Sequence, residues 1–467
     1  MKQDYSEFIQ SKIISIDDSG IDIELSDLND YLFDWQKDIV KFALKKGKCA
    51  LFTMTGTGKT LMQVEYAKHI HDYTNSPILI LSPLAVSHQT IREGLKIDVN
   101  INLCETQSDI INGINIANYE KLHNFDPSKF SGIILDESSI LKSKSGHYRN
   151  YIIDSFRNTP FKLACTATPA PNDFMELGNH SEFIGVLSYS EMLSSFFIHD
   201  GGDTAKWRLK GHAQSEFWKW LSEWSVILTK PSDLGYTDNG FNLPKLNTHS
   251  IVIKSNKPAD GYLFPMVAQT LQERRSARQS SIDERVSKCA EIVNSTSEPF
   301  IVWCNLNKES ELLAKAITGA KEIRGCHDND YKEKTMLEFS DGFLRVLVTK
   351  PSISGHGMNW QHCSNMTFVG LSDSFEQYFQ AVRRCWRFGQ KKDVNVYIIT
   401  SDLEGAVVDN INRKEQKAMQ MIDELVKYTK DIISENIKST RRMQSYYKPS
   451  QQIIIPEWLN ECTESTY

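Results

Sequence analysis

Three short groups of residues in this chain have the types and spacing that chemistry requires. The first is Gly56-Thr57-Gly58-Lys59-Thr60, which follows the apolar run Ala50-Leu51-Phe52 and precedes a helical stretch, Leu61 to Ala67. A strand, a Gly-containing turn and a helix in that order make a phosphate-binding loop. Gly56 and Gly58 let consecutive N–H groups face inward as an anion nest at a helix N-terminus. Lys59 supplies a cation for the β- and γ-phosphates, and Thr60 a hydroxyl for Mg²⁺. The strict pattern asks for Gly where Thr53 stands, so in isolation the segment also reads as an ordinary strand-to-helix turn.

The second group is Asp136-Glu137, at the end of the apolar run Gly132-Ile133-Ile134-Leu135. A strand-terminal acidic pair in the same domain as a phosphate loop suits metal-assisted hydrolysis. Asp136 would hold Mg²⁺ and Glu137 would orient and deprotonate the attacking water. An acidic helix cap followed by Ser138-Ser139 is the duller reading. The third group lies in Gln380 to Gln390, where Arg384 and Arg387 stand three apart and so point the same way on a helix. Two guanidinium groups on one face can meet a γ-phosphate brought from another domain; a solvated basic face is the alternative.

The elements around these groups alternate between buried strands and helices. Leu32, Trp35, Ile39, Phe42 and Ala43 recur at helical spacing just upstream of the loop, with Gln36 off that stripe. Continuous apolar runs at 77–83, 132–137 and 161–169, then at 300–304, 344–349, 366–370 and 394–399, read as strands of parallel sheets covered on both faces. Residues 1–30 form an N-terminal extension with strand-like alternation at Ile21, Ile23 and Leu25. A first α/β domain spans 31–245 and carries a Trp-rich insert at about 185–240. A second spans 246–432, opening with an Arg-rich helix from Gln269 to Ile292, and 433–467 is expected to be a loosely ordered tail. Within the insert, Phe217, Trp220, Leu221 and Trp224 make a core-facing stripe. Trp218 lies off it, near Lys206, Arg208, Lys210 and Lys219, and is the candidate for touching DNA or a partner.

Composition bounds the class. The chain has 467 residues, 40% hydrophobic and 24% charged, as in a globular protein of two or three domains. No apolar run approaches the roughly 20 residues that span a bilayer, and the N-terminus has no apolar signal core, so a cytoplasmic protein with no membrane partner is expected. The nine cysteines are scattered without a Cys-x-x-Cys pair, which favours buried free thiols over disulfides or zinc. A net charge of −6 argues against indiscriminate nucleic-acid coating and leaves room for a local basic track.

Taken together and in this order, the motifs resemble helicase superfamily 2, and within it the Swi/Snf-type double-stranded DNA translocases. Gly56–Thr60 matches motif I, Ser82-Pro83-Leu84 with Gln89 is similar to motif Ia, and Ala117 to Glu120 to the strand-edge motif that follows. Asp136–Ser139 matches motif II, with Leu141-Lys142-Ser143 in the Swi/Snf form. Thr166–Pro169, with Asn172 and Glu176-Leu177, resembles motif III, Ser354–Trp360 motif V, and Gln380–Gln390 motif VI. The resemblance runs from about Leu32 to Lys427. The chain departs from the pattern at Thr53, at Ser138-Ser139, at Arg383 and at Ser354; the second departure puts the link from motif II to motif III in doubt. Its compactness is similar to small phage and mobile-element members, which implies a bacterial or phage-infected cell.

The resemblance implies two RecA-like parallel-sheet domains in tandem, with ATP in the cleft between them. Gln36 would read adenine, and Gly56, Thr57, Gly58, Lys59, Thr60 and Gly357 would hold the nucleotide with Mg²⁺ on Thr60 and Asp136. Glu137 would be the base, completed by Arg384 and Arg387. DNA, duplex or branched, would be gripped by Lys142, Lys144, Arg149 and the loop containing Ser354, Gly355 and Asn359. The expected activity is nucleic-acid-dependent ATP hydrolysis driving translocation on DNA. An RNA helicase, or an ATP-binding switch or scaffold subunit, are the competing readings. A protein partner could dock on the insert or the tail.

Overall fold

A computed structural model describes residues 18–83, 86–142, 146–170, 173–200, 203–254, 271–355, 358–372, 374–404 and 407–441. The runs of apolar residues fold as two parallel sheets, each sandwiched by helices. The strands in chain order are β1 (Lys48–Thr53), β2 (Ile78–Ser82), β3 (Ile101–Leu103), β4 (Ile114–Asn118), β5 (Gly132–Asp136), β6 (Phe161–Thr166), β7 (Phe197–Asp200), β8 (Asp203–Leu209), β9 (Ser225–Leu228), β10 (Leu246–Ile253), β11 (Phe300–Cys304), β12 (Ala320–Glu322), β13 (Val346–Thr349), β14 (Asn365–Val369) and β15 (Val394–Ser401). The first sheet has the order β3-β4-β2-β5-β6-β1-β9 and the second β10-β15-β14-β11-β13-β12, while β7 and β8 form an antiparallel ribbon. These are the two RecA-like lobes.

Register places the chemistry. Cys165 of β6 pairs with Leu51 of β1 on one side and with Asp136 of β5 on the other. Strands spaced about 4.8 Å apart therefore bring the end of β5 within two strand widths of the loop that leaves β1. All carboxyl ends of a parallel sheet lie along one edge, where such folds bind ligands.

Several sequence expectations change. Residues 18–24 form no strand; Gly20 and Ile21 donate to the carbonyls of Lys45 and Leu44 and tie the segment to the end of helix Asp34–Lys46. The Arg-rich helix is two helices, Leu271–Ser280 and Ile282–Asn294. The Trp-rich insert is continuous with the first lobe's core: Phe196, Phe217 and Trp220 pack together and Trp224 reaches Phe52 of β1.

Helix Val407–Arg441 runs past the expected start of the tail. Its first half packs in the second lobe through Val407, Ile411 and Ala418. Leu425, Ile433 and Ile437 are buried in the first lobe's core, so one helix braces both lobes. Trp218 is covered by this helix: it is 4% exposed and its ring stacks on Tyr428 at 5.3 Å. The expected contact between Trp218 and DNA is thereby corrected to packing. The tail beyond Arg441 lies outside the described residues.

Candidate active site between the lobes

The loop after β1 is shaped by two glycines in left-handed backbone, Gly56 (φ 92°) and Gly58 (φ 79°). Gly58 caps helix Lys59–Thr74, and no side chain fills that cap. First-turn N–H groups of such a helix suit an anion. The Lys59 ammonium donates to the carbonyls of Thr53 (2.7 Å) and Met54 (3.3 Å), so it lies folded back over its own loop. Thr53 also receives the Thr57 hydroxyl at 2.9 Å, which gives the departure from the strict loop pattern a local bonding role. Gln36 is buried, donates to the Thr57 carbonyl at 2.8 Å and accepts from the Phe33 N–H at 2.9 Å. A Cβ at Gly58 would fall 2.3 Å from Gln36 Nε2, so only glycine lets Gln36 touch the loop.

Asp136 is buried at the end of β5. Gln63, one turn beyond Thr60, donates to Asp136 Oδ1 at 2.9 Å, and the Tyr119 hydroxyl donates to the Asp136 carbonyl at 2.7 Å. Burial and the neighbouring Glu137 push the Asp136 carboxyl up to about 6. Paired carboxylates in a low-dielectric pocket are what a divalent cation relieves, and oxygen donors such as Asp136 and Thr60 suit a hard one, so these residues fit Mg²⁺. Glu137 has φ +55°, a left-handed conformation costing a non-glycine residue about 1–3 kcal/mol. Its Oε2 is buried and unpartnered within the protein.

The second lobe supplies the arginines. Arg384 and Arg387 both donate to the Met358 carbonyl, at 3.3 and 3.4 Å, and Arg384 also to the Gln380 carbonyl at 3.0 Å. Burial lowers both guanidinium pKa values, Arg387 to about 10; Glu137 and Asp136 pull Arg384 back up. Lys59 is lowered by burial, raised by Glu137 and Asp136, and lowered further by Arg387. Lys59, Asp136, Glu137, Arg384 and Arg387 thus form one electrostatic cluster across the lobes. Phe388 lies over Gly56, stacked on Phe241 at 4.3 Å, and Phe241 in turn meets Phe33 and Trp35 edge-on.

Beside this junction opens an interlobe cavity of about 800 Å³, lined by Gln89, Arg92, Glu137, Lys142, Asn359 and Glu376 among others. It reaches the cluster at Glu137 and not at the phosphate loop, where Arg387 and Phe388 lie against Gly56. Lys142 faces the cavity but pairs with Glu376 of the second lobe, and His88 pairs with Glu333 at 3.3 Å. Asn359 is exposed there. Three expected track residues are corrected: Ser354 is buried with its hydroxyl 3.0 Å from that of Thr349, Gly355 is buried behind it, and Arg149 is buried against Glu182 and Asn179. Lys144 and Gly357 lie outside the described residues. Sequence reasoning missed Gln63, the Met358 carbonyl and Phe388. Only Gln63 left a signal, as a polar residue three after Thr60 in an otherwise buried run.

Residues 27–171 match the family described as Type III restriction enzyme, res subunit, and residues 284–389 match the Helicase conserved C-terminal domain, one on each lobe. The chain belongs to helicase superfamily 2. Its superfamily 2 relatives include mouse DNA annealing helicase and endonuclease ZRANB3, 20% identical over 82% of this chain and 40% of that protein. Chicken chromodomain-helicase-DNA-binding protein 1 is 21% identical over 91% of this chain and 28% of its own length. Putative protein p41 of Acyrthosiphon pisum secondary endosymbiont phage 1 is 21% identical over 75% of this chain and 87% of its own. The chain therefore spans less than half the length of the first two. Helicase domains of this superfamily bind ATP and act with nucleic acid. Among the described residues no helix is long and apolar enough to cross a membrane.

Proposed function

We propose that this chain hydrolyses ATP at the junction of its lobes and uses the cycle of closure and opening to translocate on DNA, duplex or branched. The observation that carries the reading is the electrostatic cluster of Lys59, Asp136 and Glu137 with Arg384 and Arg387. Gln36 reads adenine, and the Gly56–Thr60 amides cradle the phosphates, with Gly357 as a further nucleotide contact. Lys59 exchanges its Thr53 and Met54 carbonyls for phosphate oxygens. Thr60 and Asp136 would hold Mg²⁺, which when bound neutralises phosphate charge. Glu137 takes the proton of the attacking water, and the two arginines stabilise charge developing on the γ-phosphate.

Lys142 and Asn359, which line the interlobe cavity, are the proposed DNA contacts, together with Lys144. Relatives that match most of the chain, a DNA annealing helicase and a helicase-DNA-binding protein, favour DNA over RNA, whereas an RNA helicase matches only 22% of it. Steady-state ATPase assays with no nucleic acid, single-stranded DNA, duplex DNA and RNA test this. Stimulation by duplex DNA that weakens steeply with salt is expected. Stimulation by RNA alone would assign an RNA helicase, and the absence of turnover under all four conditions would assign an ATP-binding switch.

A further inference from the structure

The segment after motif II is gripped at both ends by one short element. Helix Leu177–Ile184 lies downstream of the motif III strand β6 and directly follows the turn Phe174–Glu176. From it, His180 Nε2 lies 3.1 Å from the Ser138 hydroxyl, at the start of the Ser138–Lys142 turn. Asn179 Nδ2 donates to the Lys142 carbonyl at 3.1 Å, at the end of the same turn. Ser138, His180 and Asn179 are all buried, at 0%, 0% and 1% exposure.

This grip sits beside a conformation that needs one. Glu137, immediately before Ser138, holds left-handed backbone that a side-chain-bearing residue rarely adopts. Such a conformation persists only where its surroundings over-determine it. Locally, the Glu137 N–H donates to Asp136 Oδ1 at 3.1 Å and the Glu137 carbonyl accepts from Ile140 at 3.3 Å. The first ties the Glu137 N–H to the end of β5, while the second lies within the turn and moves with it. The hydroxyl of Ser138 and the carbonyl of Lys142 are the points at which the turn itself is held to helix Leu177–Ile184. His180 is itself fixed by an edge-on contact with Phe52 of β1, at 5.0 Å between centroids, so it connects the motif II turn to the strand that carries the phosphate loop. Burial holds the imidazole down to about 4, so it stays neutral throughout the neutral range.

We infer that His180 is a positioning residue for Glu137: through the Ser138 hydroxyl it holds the left-handed turn that aims the carboxylate, and it links the motif II turn to the element after motif III. The inference rests on the proposed role of Glu137 as the base. An imidazole contributed from a separate helix in this way supplies the link that Ser138-Ser139 leaves open at the level of sequence.

The test is ATP turnover by the full chain with saturating duplex DNA, comparing wild type, Glu137→Gln, Ser138→Ala, His180→Leu, His180→Gln and the Ser138→Ala/His180→Leu pair. Glu137→Gln must lose turnover; if it does not, the base assignment fails and the inference with it. Given that loss, His180→Leu is expected to lower kcat about 10-fold or more with KM for ATP changed less than about 2-fold, because only the aim of the base is disturbed. Ser138→Ala should do the same and the pair no more than either alone, the mark of one shared interaction. His180→Gln, which keeps a polar atom near the Nε2 position, should recover most of kcat. Should His180→Leu not fold, Ser138→Ala carries the comparison. Normal kcat in folded Ser138→Ala, or losses that follow the fraction of folded protein and are not recovered by His180→Gln, would overturn the inference while leaving the Glu137 assignment intact.

Discussion

Phe388 lies so close over Gly56 that a Cβ on Gly56 would come within 2.9 Å of the Phe388 backbone nitrogen. The phosphate loop of one lobe and the segment following Arg387 of the other are therefore fitted to each other at a single glycine. Gly56→Ala faces two costs. Its φ of 92° disfavours a side chain by about 1–2 kcal/mol, and the new methyl group pushes Phe388 and Arg387 away. Turnover should fall about 10-fold or more, since about 1.4 kcal/mol is a factor of ten in rate. Normal kcat in this variant would show that the contact has no part in closure.

Lys142 and Glu376 face each other across the interlobe cavity. If Lys142 is a phosphate contact, Glu376 competes with DNA for it. Glu376→Gln should then tighten duplex binding and steepen the slope of log K against log salt by about 1, one further phosphate neutralised. An unchanged slope would remove Lys142 from the track.

Beneath the second sheet, Arg285 pairs with Glu309 at 2.7 Å and Glu404 at 3.6 Å, all three side chains fully buried. The Arg285 Nε also donates to the Ser281 hydroxyl at 3.1 Å, and Glu309 accepts the N–H groups of Asn305 and Leu306. Removing the one cation of this network leaves two buried carboxylates without it. Arg285→Met should lose about 3–5 kcal/mol of unfolding free energy. Urea denaturation would measure it, and a loss under about 1 kcal/mol would mean that the network carries little.

Lys162 is buried on β6, donating to the carbonyls of Phe183 (2.9 Å) and Arg157 (3.2 Å). Burial, with Lys48 and Arg157 nearby, pulls its pKa down to about 8. In the unfolded chain a lysine titrates near about 10.4. Between those values the unfolded state binds more protons, so this residue makes stability rise as pH rises through the window. Below it both states are protonated and the contribution is flat. The difference in melting temperature between wild type and Lys162→Met should therefore move in favour of wild type from pH 8 to pH 10; a constant difference contradicts the assignment.

The sequence was most legible where chemistry is local. Glycines at left-handed positions, a lysine at a helix start and acidic residues at a strand end each carry their own reason, and Gly58, Lys59, Asp136 and Glu137 lie where that reasoning put them. The helical stripe of Phe217, Trp220, Leu221 and Trp224 was legible for the same reason, because periodicity is a property of one helix. Trp218 was not. Its apparent exposure depended on what lay opposite, and Tyr428 arrives there from a helix that starts in the other lobe. Lys142 with Glu376 and Arg149 with Glu182 are similar cases, in which a basic side chain expected at phosphate meets a carboxylate from another element. Ser354 turned inward to bond Thr349, a choice that spacing alone does not encode.

The central claim is that the site is split, with the first lobe holding ATP and the second completing it. Single-turnover hydrolysis by Arg387→Ala, with nucleotide affinity measured on the same protein, tests it most directly. The account predicts a fall in the hydrolysis rate of roughly 10³-fold or more, with the nucleotide Kd changed only a few-fold. Hydrolysis at the wild-type rate, or a loss confined to nucleotide affinity, would contradict it.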